Sequence, residues 1–520
     1  MWLSPRGDPH LTPPRAPTNA AAISQPYGLH WFRRDLRVAG NPALRWSWNE
    51  HQGRVLGVFC FDASFLARPD FSVDRFAFFL DTLRALRDEL RRAGGDLLVL
   101  DKAPGEAFPA LLDALDRGRI PPPATLSFNR DYEPFARTRD QAVSALVEKG
   151  RGIIVHTESD HLLIEPHEIR KEVRAQDTGD ELPYFKVYSA FARRWFALLA
   201  TPRIQARLEA QRKGLAYLDG LASAGGGPDQ VLFTLSWPAL FGSQPLPEDH
   251  LQRFVDANRA RVRVPIPAAG SLAARARLHA FGPRLSSYKR DRDLPGLDGT
   301  SRMSIYFKNG SFTPAQVIAE LKLGSTTLAE GSGASSFLRE IVWREFYYHL
   351  LWHRPDVETR TFLPQYRDLG WEDRTDWFEA WKAGETGYPI VDAGMRQLAQ
   401  TGWMHNRVRM IVASFLTKDL LIDWRWGERY FMERLLDGDL APNNGGWQWA
   451  ASTGCDPQPY FRVFNPSLQG RRFDPDGSYL RQFLPERRDD DAVSIHQPRQ
   501  PIVDHAAQKV KALALYRRQR

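Results

Sequence analysis

Apolar residues gather first at Gly28-Leu29-His30-Trp31-Phe32, then from Val55 to Phe61 and from Asp96 to Leu100, three runs of strand length. Between the second and the third, Phe79, Leu83, Leu86 and Leu90 recur at helical spacing within Arg75 to Arg92. Strand, helix and strand in succession predict parallel pairing, because a parallel neighbour requires a crossover of that kind. Two more strand candidates, Thr125 to Asn129 and Gly152 to Thr157, flank another helical stretch and extend an open, doubly wound α/β unit to about residue 160. No GxGxxG follows the first strand. A small molecule held by this sheet is therefore bound without the dinucleotide fingerprint, outside the carboxyl ends of the strands.

From Pro166 to about Pro267 the pattern loosens, with Ala224-Gly225-Gly226-Gly227-Pro228 and Ser243-Gln244-Pro245-Leu246-Pro247 reading as a long connector. Beyond it, helical periodicity dominates Gly270 to Leu484, with helices predicted over Ser336 to His353, Val391 to Thr401 and Asn406 to Trp424. The tail from Arg487 to Arg520 is polar and carries one helical stretch. The expected organisation is a disordered extension over 1–26, an α/β domain over 27–160, a connector over 161–268 and an all-helical domain over 269–520.

Composition narrows the function classes. The chain has 520 residues, 43% hydrophobic and 25% charged, as expected of a globular protein of more than one domain. Cys60 and Cys455 are the only cysteines, too few for a disulfide framework, a four-thiolate zinc site or an all-cysteine iron–sulfur cluster, and no metal is expected. The Pro-rich start lacks a signal-peptide centre and no apolar run approaches 18 residues, so a cytoplasmic protein without membrane partners is expected. A net charge of +8 favours an anionic partner.

Ten of the 16 tryptophans lie between Trp343 and Trp449, a density that composition alone explains as an aromatic core. The segment Asp437 to Trp449 resists that explanation. It sets two carboxylates, three amides and three glycines beside two indoles, a mixture that bounds a polar cofactor better than it fills a core. Glu340, Trp343 and Arg344 stand at i, i+3 and i+4, so acid, indole and guanidinium share one helix face; a buried Glu–Arg pair is the simpler explanation.

Taken in order, these segments resemble the DNA photolyase and cryptochrome family from Leu29 to Tyr516. The resemblance rests on Trp31-Phe32-Arg33-Arg34-Asp35-Leu36-Arg37, Gly299 to Ser304, Trp343 to Tyr347, Thr386 to Ala393, Thr401 to Arg407, Asp437 to Trp449 and Pro459 to Pro466. It implies an α/β antenna domain, a connector and a helical domain holding a folded FAD, with UV-damaged double-stranded DNA as partner. The expected protein is a monomer without an obligate protein partner, associated with the nucleoid when bound to DNA.

The resemblance also assigns residues. FAD would be held by Tyr288, Thr300, Ser301, Arg302, Met303, Ser304, Asn406, Arg409, Asp437, Gly438, Asp439 and Asn443. Asn443 matches the position facing flavin N5, where a neutral amide can accept from a protonated nitrogen or donate to a deprotonated one. Trp447, Trp424 and Trp371 match a relay that carries an electron from the surface to the flavin. Glu340, Trp343 and Trp449 would receive a cyclobutane dimer, with Arg292, Arg344, Arg407 and Met410 completing the DNA-binding set.

Repair of (6-4) photoproducts calls for histidines where this chain has Asn406 and Met410. The resemblance is therefore strongest to class I cyclobutane pyrimidine dimer photolyases, which repair by light-driven electron transfer. A signalling photoreceptor of cryptochrome type is the alternative, opposed by Asn443, Glu340 and Trp449. A second, antenna chromophore, folate or deazaflavin, is expected near Phe128 to Phe135, and Glu358 stands where the folate-binding branch tends to have lysine.

Overall fold

The computed structural model describes residues 25–171, 184–222, 232–324 and 330–518. Most of the predicted extension 1–26 and the whole of Ala224 to Pro228 lie outside the described residues.

Five parallel strands, β1 (Gly28–Phe32), β2 (Val55–Cys60), β3 (Leu97–Leu100), β4 (Thr125–Asn129) and β5 (Ile154–Glu158), form one sheet in the order β3-β2-β1-β4-β5. Gly28 faces Val55 on one side and Thr125 on the other, so the order reverses direction between β1 and β4. The helices between strands are α1 (Pro42–Glu50), α2 (Val73–Arg92), α3 (Pro104–Arg117) and α4 (Pro134–Arg151). Local chemistry sets their starts: Asn41 and Ser72 accept from the backbone N–H of Leu44 and Arg75, and prolines open α1, α3 and α4. All of β1 and β2 is buried, because helices cover both faces of the sheet. The period of two then sorts side chains between layers: Leu29, Trp31, Leu56 and Val58 face one core, and Phe32, Val55 and Phe59 the other.

The stretch read as a loose connector is built of helices: α5 (Tyr188–Leu199), α6 (Pro202–Ala222), α7 (Trp237–Phe241) and α8 (Leu251–Arg259). Phe191, Trp195, Leu199 and Phe254 join the same core as Phe32 and Phe78, whereas Trp237 and Leu240 close the opposite face. Among its described residues, Pro202 and Pro238 stand in first turns of helices and Gly242 caps the end of α7.

The helical part comprises α9 (Ser271–Phe281), α10 (Tyr288–Asp291), α11 (Ser304–Asn309), α12 (Pro314–Glu320), α13 (Gly333–His353), α14 (Thr375–Ala383), α15 (Pro389–Thr401), α16 (Asn406–Ser414), α17 (Trp424–Arg434), α18 (Leu440–Ala450), α19 (Pro466–Phe473), α20 (Ser478–Phe483) and α21 (His505–Arg517). The single helix predicted over Asn406 to Trp424 is in fact interrupted. α16 passes into a π-helical turn, Phe415–Asp419; Leu421 adopts φ +53°, and Asp423 caps a new helix by accepting from Arg425 N–H. The apolar period continues across the break, and only the Asp423 cap marks it in sequence.

α13 ties the parts together. Its Glu345 is buried and accepts hydrogen bonds from the indole of Trp195 on α5 (2.5 Å) and from Leu163 N–H (2.5 Å). Burial nevertheless pushes this carboxyl up to about 7.

Candidate active site

Three separated segments meet at Asp437, just before α18. Ser304 Oγ, opening α11, donates to its carboxylate at 2.6 Å, and Arg409 on α16 reaches both carboxylate oxygens at 3.0 Å. At the next residue a Cβ on Gly438 would lie 2.4 Å from the guanidinium of Arg75 and displace it from the carbonyls of Met432 and Leu435, to which it donates. Asp439 accepts from Tyr348 Oη (2.6 Å) and Arg34 (2.7 Å), with Lys308 at 3.3 Å and Arg344 at 3.5 Å. Burial works against its ionisation, but Arg34, Lys308 and Arg344 outweigh it and hold the carboxyl well below the usual range.

Arg34, Lys308 and Tyr348 received no role from sequence; Arg34 stood inside a quoted motif, yet no local pattern tells which distant acid an arginine will meet. Arg344 is buried against His161 and Asp439, while Glu340 pairs with Arg292. The Glu–Arg pair suggested by helical spacing is therefore absent, and Arg344 faces the Asp439 network rather than the surface.

Along α18, Asn443 donates its amide nitrogen to the Glu428 carbonyl (3.0 Å), leaving its side-chain oxygen as the acceptor. A Cβ on Gly445 would fall 2.0 Å from the Tyr347 ring, so α13 and α18 approach closely there, whereas a Cβ on Gly446 would meet no atom within 4 Å. Trp447 is buried beside Phe431 (4.9 Å between ring centroids) and Trp381 (6.1 Å). Trp424 belongs to the same buried cluster, and half-buried Trp371 packs against it. The three predicted relay residues thus share one aromatic region, and Trp381 on α14, which sequence did not single out, is a ring neighbour of Trp447.

Trp343 and Trp449 are both half-buried, Trp343 stacked on Tyr188 and Trp449 packed against the cluster that holds Trp447. Tyr288 is buried between Phe281 and Phe337, with Arg292 over its ring at 5.6 Å. Arg407 reaches Asp293 at 2.9 Å, and exposed Asn406 lies one turn before Met410, its amide 3.9 Å from the sulfur. Thr300 and Ser301 are half-exposed, Met303 is buried, and exposed Arg302 adopts φ +54° with its guanidinium 4.3 Å from the Trp403 ring.

The donor set suits a phosphate-bearing flavin. His405 Nδ1 accepts from Arg407 N–H, which places its proton on Nε2, and that nitrogen is buried without a partner among the described residues, on a ring that feels Asp293 as well as Arg407, Arg409 and Arg302. With the Ser304–Asp437–Arg409 contacts, the half-exposed Thr300 and Ser301 hydroxyls and the Asn443 acceptor, the helical part offers the kinds of group that a pyrophosphate and a flavin ring require.

At the β1/β4 reversal, Arg33, Arg34, Asp35, Asn129, Arg130, Asp131, Asp160 and His161 line a crevice at the carboxyl ends of the strands, where an α/β sheet binds ligands. Burial, and then Glu133 and Asp70, raise the pKa of Glu358, although Arg68 pairs with Asp70, and Arg34 and Lys308 with Glu133. Among the described residues, one cluster could share a metal ion, Glu165, His167 and Glu168, and Arg130, Arg203 and Arg207 already pair with its carboxylates. No described helix is long and apolar enough to cross a membrane.

Comparison with known proteins agrees with this geometry. Residues 28–210 match the DNA photolyase family, and residues 337–519 match the FAD binding domain of DNA photolyase. A deoxyribodipyrimidine photo-lyase of Halobacterium salinarum is 38% identical over 520 residues, covering 95% of this chain and 99% of that one. The crystal structure of a bacterial class III photolyase from Agrobacterium tumefaciens aligns with TM-score 0.76 and 33% identity over 95% of this chain and 98% of its own. An archaeal photolyase from Sulfolobus tokodaii, solved with two FAD molecules, aligns with TM-score 0.72 and 28% identity over 94% and 99%. With both halves matched and relatives similar over nearly their full length, the chain belongs to the DNA photolyase family.

Proposed function

We propose that this chain is a light-dependent DNA repair lyase that splits cyclobutane pyrimidine dimers with FAD as cofactor. The observation that carries the reading is the meeting of Ser304, Arg409 and Asp437 at the head of the helix that also bears Asn443, Trp447 and Trp449. One helix thus joins a flavin cradle to a lesion wall. Relatives named deoxyribodipyrimidine photo-lyase, similar over nearly their full length, support it.

Bound in its fully reduced form, FAD would supply a light-excited one-electron donor that recovers its electron, so that splitting the cyclobutane ring would need no net redox change. The chain's residues do the rest. Tyr288, Thr300 to Ser304, Asn406, Arg409, Asp437 to Asp439 and Asn443 hold the cofactor, with Asn443 offering its carbonyl to the flavin ring. Glu340 hydrogen-bonds a pyrimidine edge, and Trp343 and Trp449 give flat apolar walls that exclude water. Arg292 and Arg407 meet backbone phosphates and Met410 lines the pocket, whereas buried Arg344, paired with Asp439, belongs with the cofactor-holding network. Trp447, Trp424 and Trp371 deliver electrons that keep FAD reduced.

The dimer leaves the stack to reach this pocket, as the general account of base flipping describes for photolyases. The protein works as a cytoplasmic monomer, with residues 27–160 as the antenna domain, 161–268 as connector and 269–520 as the FAD- and DNA-binding domain. A second chromophore, a folate or a deazaflavin, binds at the antenna domain near Phe128 to Phe135, and Glu358, standing where the folate-binding branch tends to have lysine, weighs against the folate.

The test is light-driven repair of two defined duplexes, one carrying a cyclobutane thymine dimer and one a (6-4) product. Asn406 and Met410 offer no imidazole, so activity is expected on the first alone, and repair of the second would overturn the assignment.

A further inference from the structure

One face of Trp343 is already covered. Tyr188 lies parallel to it, ring centroids 3.5 Å apart and planes within 4°. Tyr188 opens α5, in the stretch to which sequence gave no role beyond connection.

Its surroundings fix both the tyrosine and the walls of the proposed pocket. Tyr188 Oη donates to the carbonyl of Arg339 (3.0 Å), one turn before Trp343 on α13. Tyr188 N–H donates to Asp456 (2.9 Å), and Cys455 Sγ donates to the carbonyl of Lys186 (2.9 Å), both from the loop that follows Trp449 and the end of α18. Phe185 N–H donates to His349, again on α13 (3.2 Å). The segment 185–188 is thus bonded to α13, which carries Trp343, and to the loop leaving α18, which carries Trp449. Phe346 and Tyr347 close round the same indole, each 5.7 Å from it between centroids.

Two consequences follow. With one face occupied, only the other face of Trp343 can stack on a base. An indole held in plane before binding also avoids the rotamer entropy that a mobile one would lose on meeting its ligand.

We propose that Tyr188 is a positioning residue for lesion recognition: it fixes the plane of Trp343 and, through segment 185–188, the placement of α13 against the end of α18. The inference rests on the reading of Trp343 as a wall of the dimer pocket. It predicts a specific loss. Removing the Tyr188 ring should weaken binding of a dimer that needs a fixed stacking plane, and leave alone the phosphate contacts that hold undamaged DNA.

The experiment uses FAD-loaded protein and measures equilibrium binding to a duplex with one cyclobutane thymine dimer and to the same duplex undamaged, with the repair rate at saturating DNA. Tyr188→Leu should lose roughly three- to tenfold in dimer affinity, the range an aromatic pair is worth, with undamaged-DNA affinity and FAD content unchanged. Tyr188→Phe, which keeps the ring, should stay within about twofold of the parent on the same scale. If Tyr188→Leu loses FAD, Tyr188→Met, a flexible side chain without a plane, carries the same comparison. Unchanged dimer affinity in the variants lacking the ring, or an equal loss on both duplexes, would overturn the proposal. Trp343→Ala separates the two layers of the reading. If it leaves dimer affinity intact, the wall assignment fails; if it lowers dimer affinity while Tyr188→Leu does not, only the role of Tyr188 fails.

Discussion

At the scale of the residue, the site works through side chains whose neighbours leave them one free function. Trp447 is the buried one of two indoles on the helix that also bears Asn443, and it packs against Phe431 and Trp381. Trp447→Phe keeps most of the volume and removes the proposed inner donor, so photoreduction of oxidised FAD should collapse while repair from chemically reduced FAD survives. Equal loss of both, followed by absorbance and repair assay, would make Trp447 structural. Glu340 is held by Arg292. Glu340→Ala should therefore act in two directions. Dimer binding should weaken by about 1–3 kcal/mol through an unpaired base edge, and binding of undamaged DNA should tighten as Arg292 is freed for phosphate. Titrating both duplexes against the variant checks the pair of signs.

At the scale of the element, close approach and buried acids set the positions of helices. α13 and α18 meet at Gly445, where an added Cβ would overlap the Tyr347 ring. Gly445→Ala should therefore separate the helices at a cost of about 1–3 kcal/mol, read as a lower denaturation midpoint together with reduced FAD occupancy. Glu345 gives a pH signature. Its carboxyl is raised from 4.5 to about 7, so the folded protein keeps a proton that the unfolded chain releases between those values. The native state binds more protons in that window, and stability falls as pH rises from 4.5 through 7. Glu345→Gln, neutral at every pH, should remove this slope, so that its unfolding free energy gains on the parent by about 3 kcal/mol across the window in denaturant titrations. A constant difference between the two proteins at all pH values would show that Glu345 does not titrate there.

At the scale of the whole molecule, a +8 chain with the proposed arginine contacts to DNA should bind it with steep salt dependence. Arg407→Ala should reduce affinity for damaged and undamaged duplex alike and lower the salt slope by about one phosphate contact, which binding at several salt concentrations would measure. Strand positions and most helices were legible in sequence, because each is written in local period, length or capping: Thr125–Asn129 lies where the strand candidate was read. What sequence left open were relations between distant residues. The break between Phe415–Asp419 and Trp424 was hidden because apolar spacing runs on through it. The connector read as loose because described residues such as Pro238 and Gly242 mark helix ends, while the burial of Trp195 and Phe254 depends on a core assembled from residues far away in the chain. Likewise Glu340 and Arg344, adjacent on one helix face, were parted by partners on other elements, Arg292 for one and His161 with Asp439 for the other. Periodicity fixes which face of an element turns inward; which charge or ring waits there is settled only when long-range packing brings that second segment into reach.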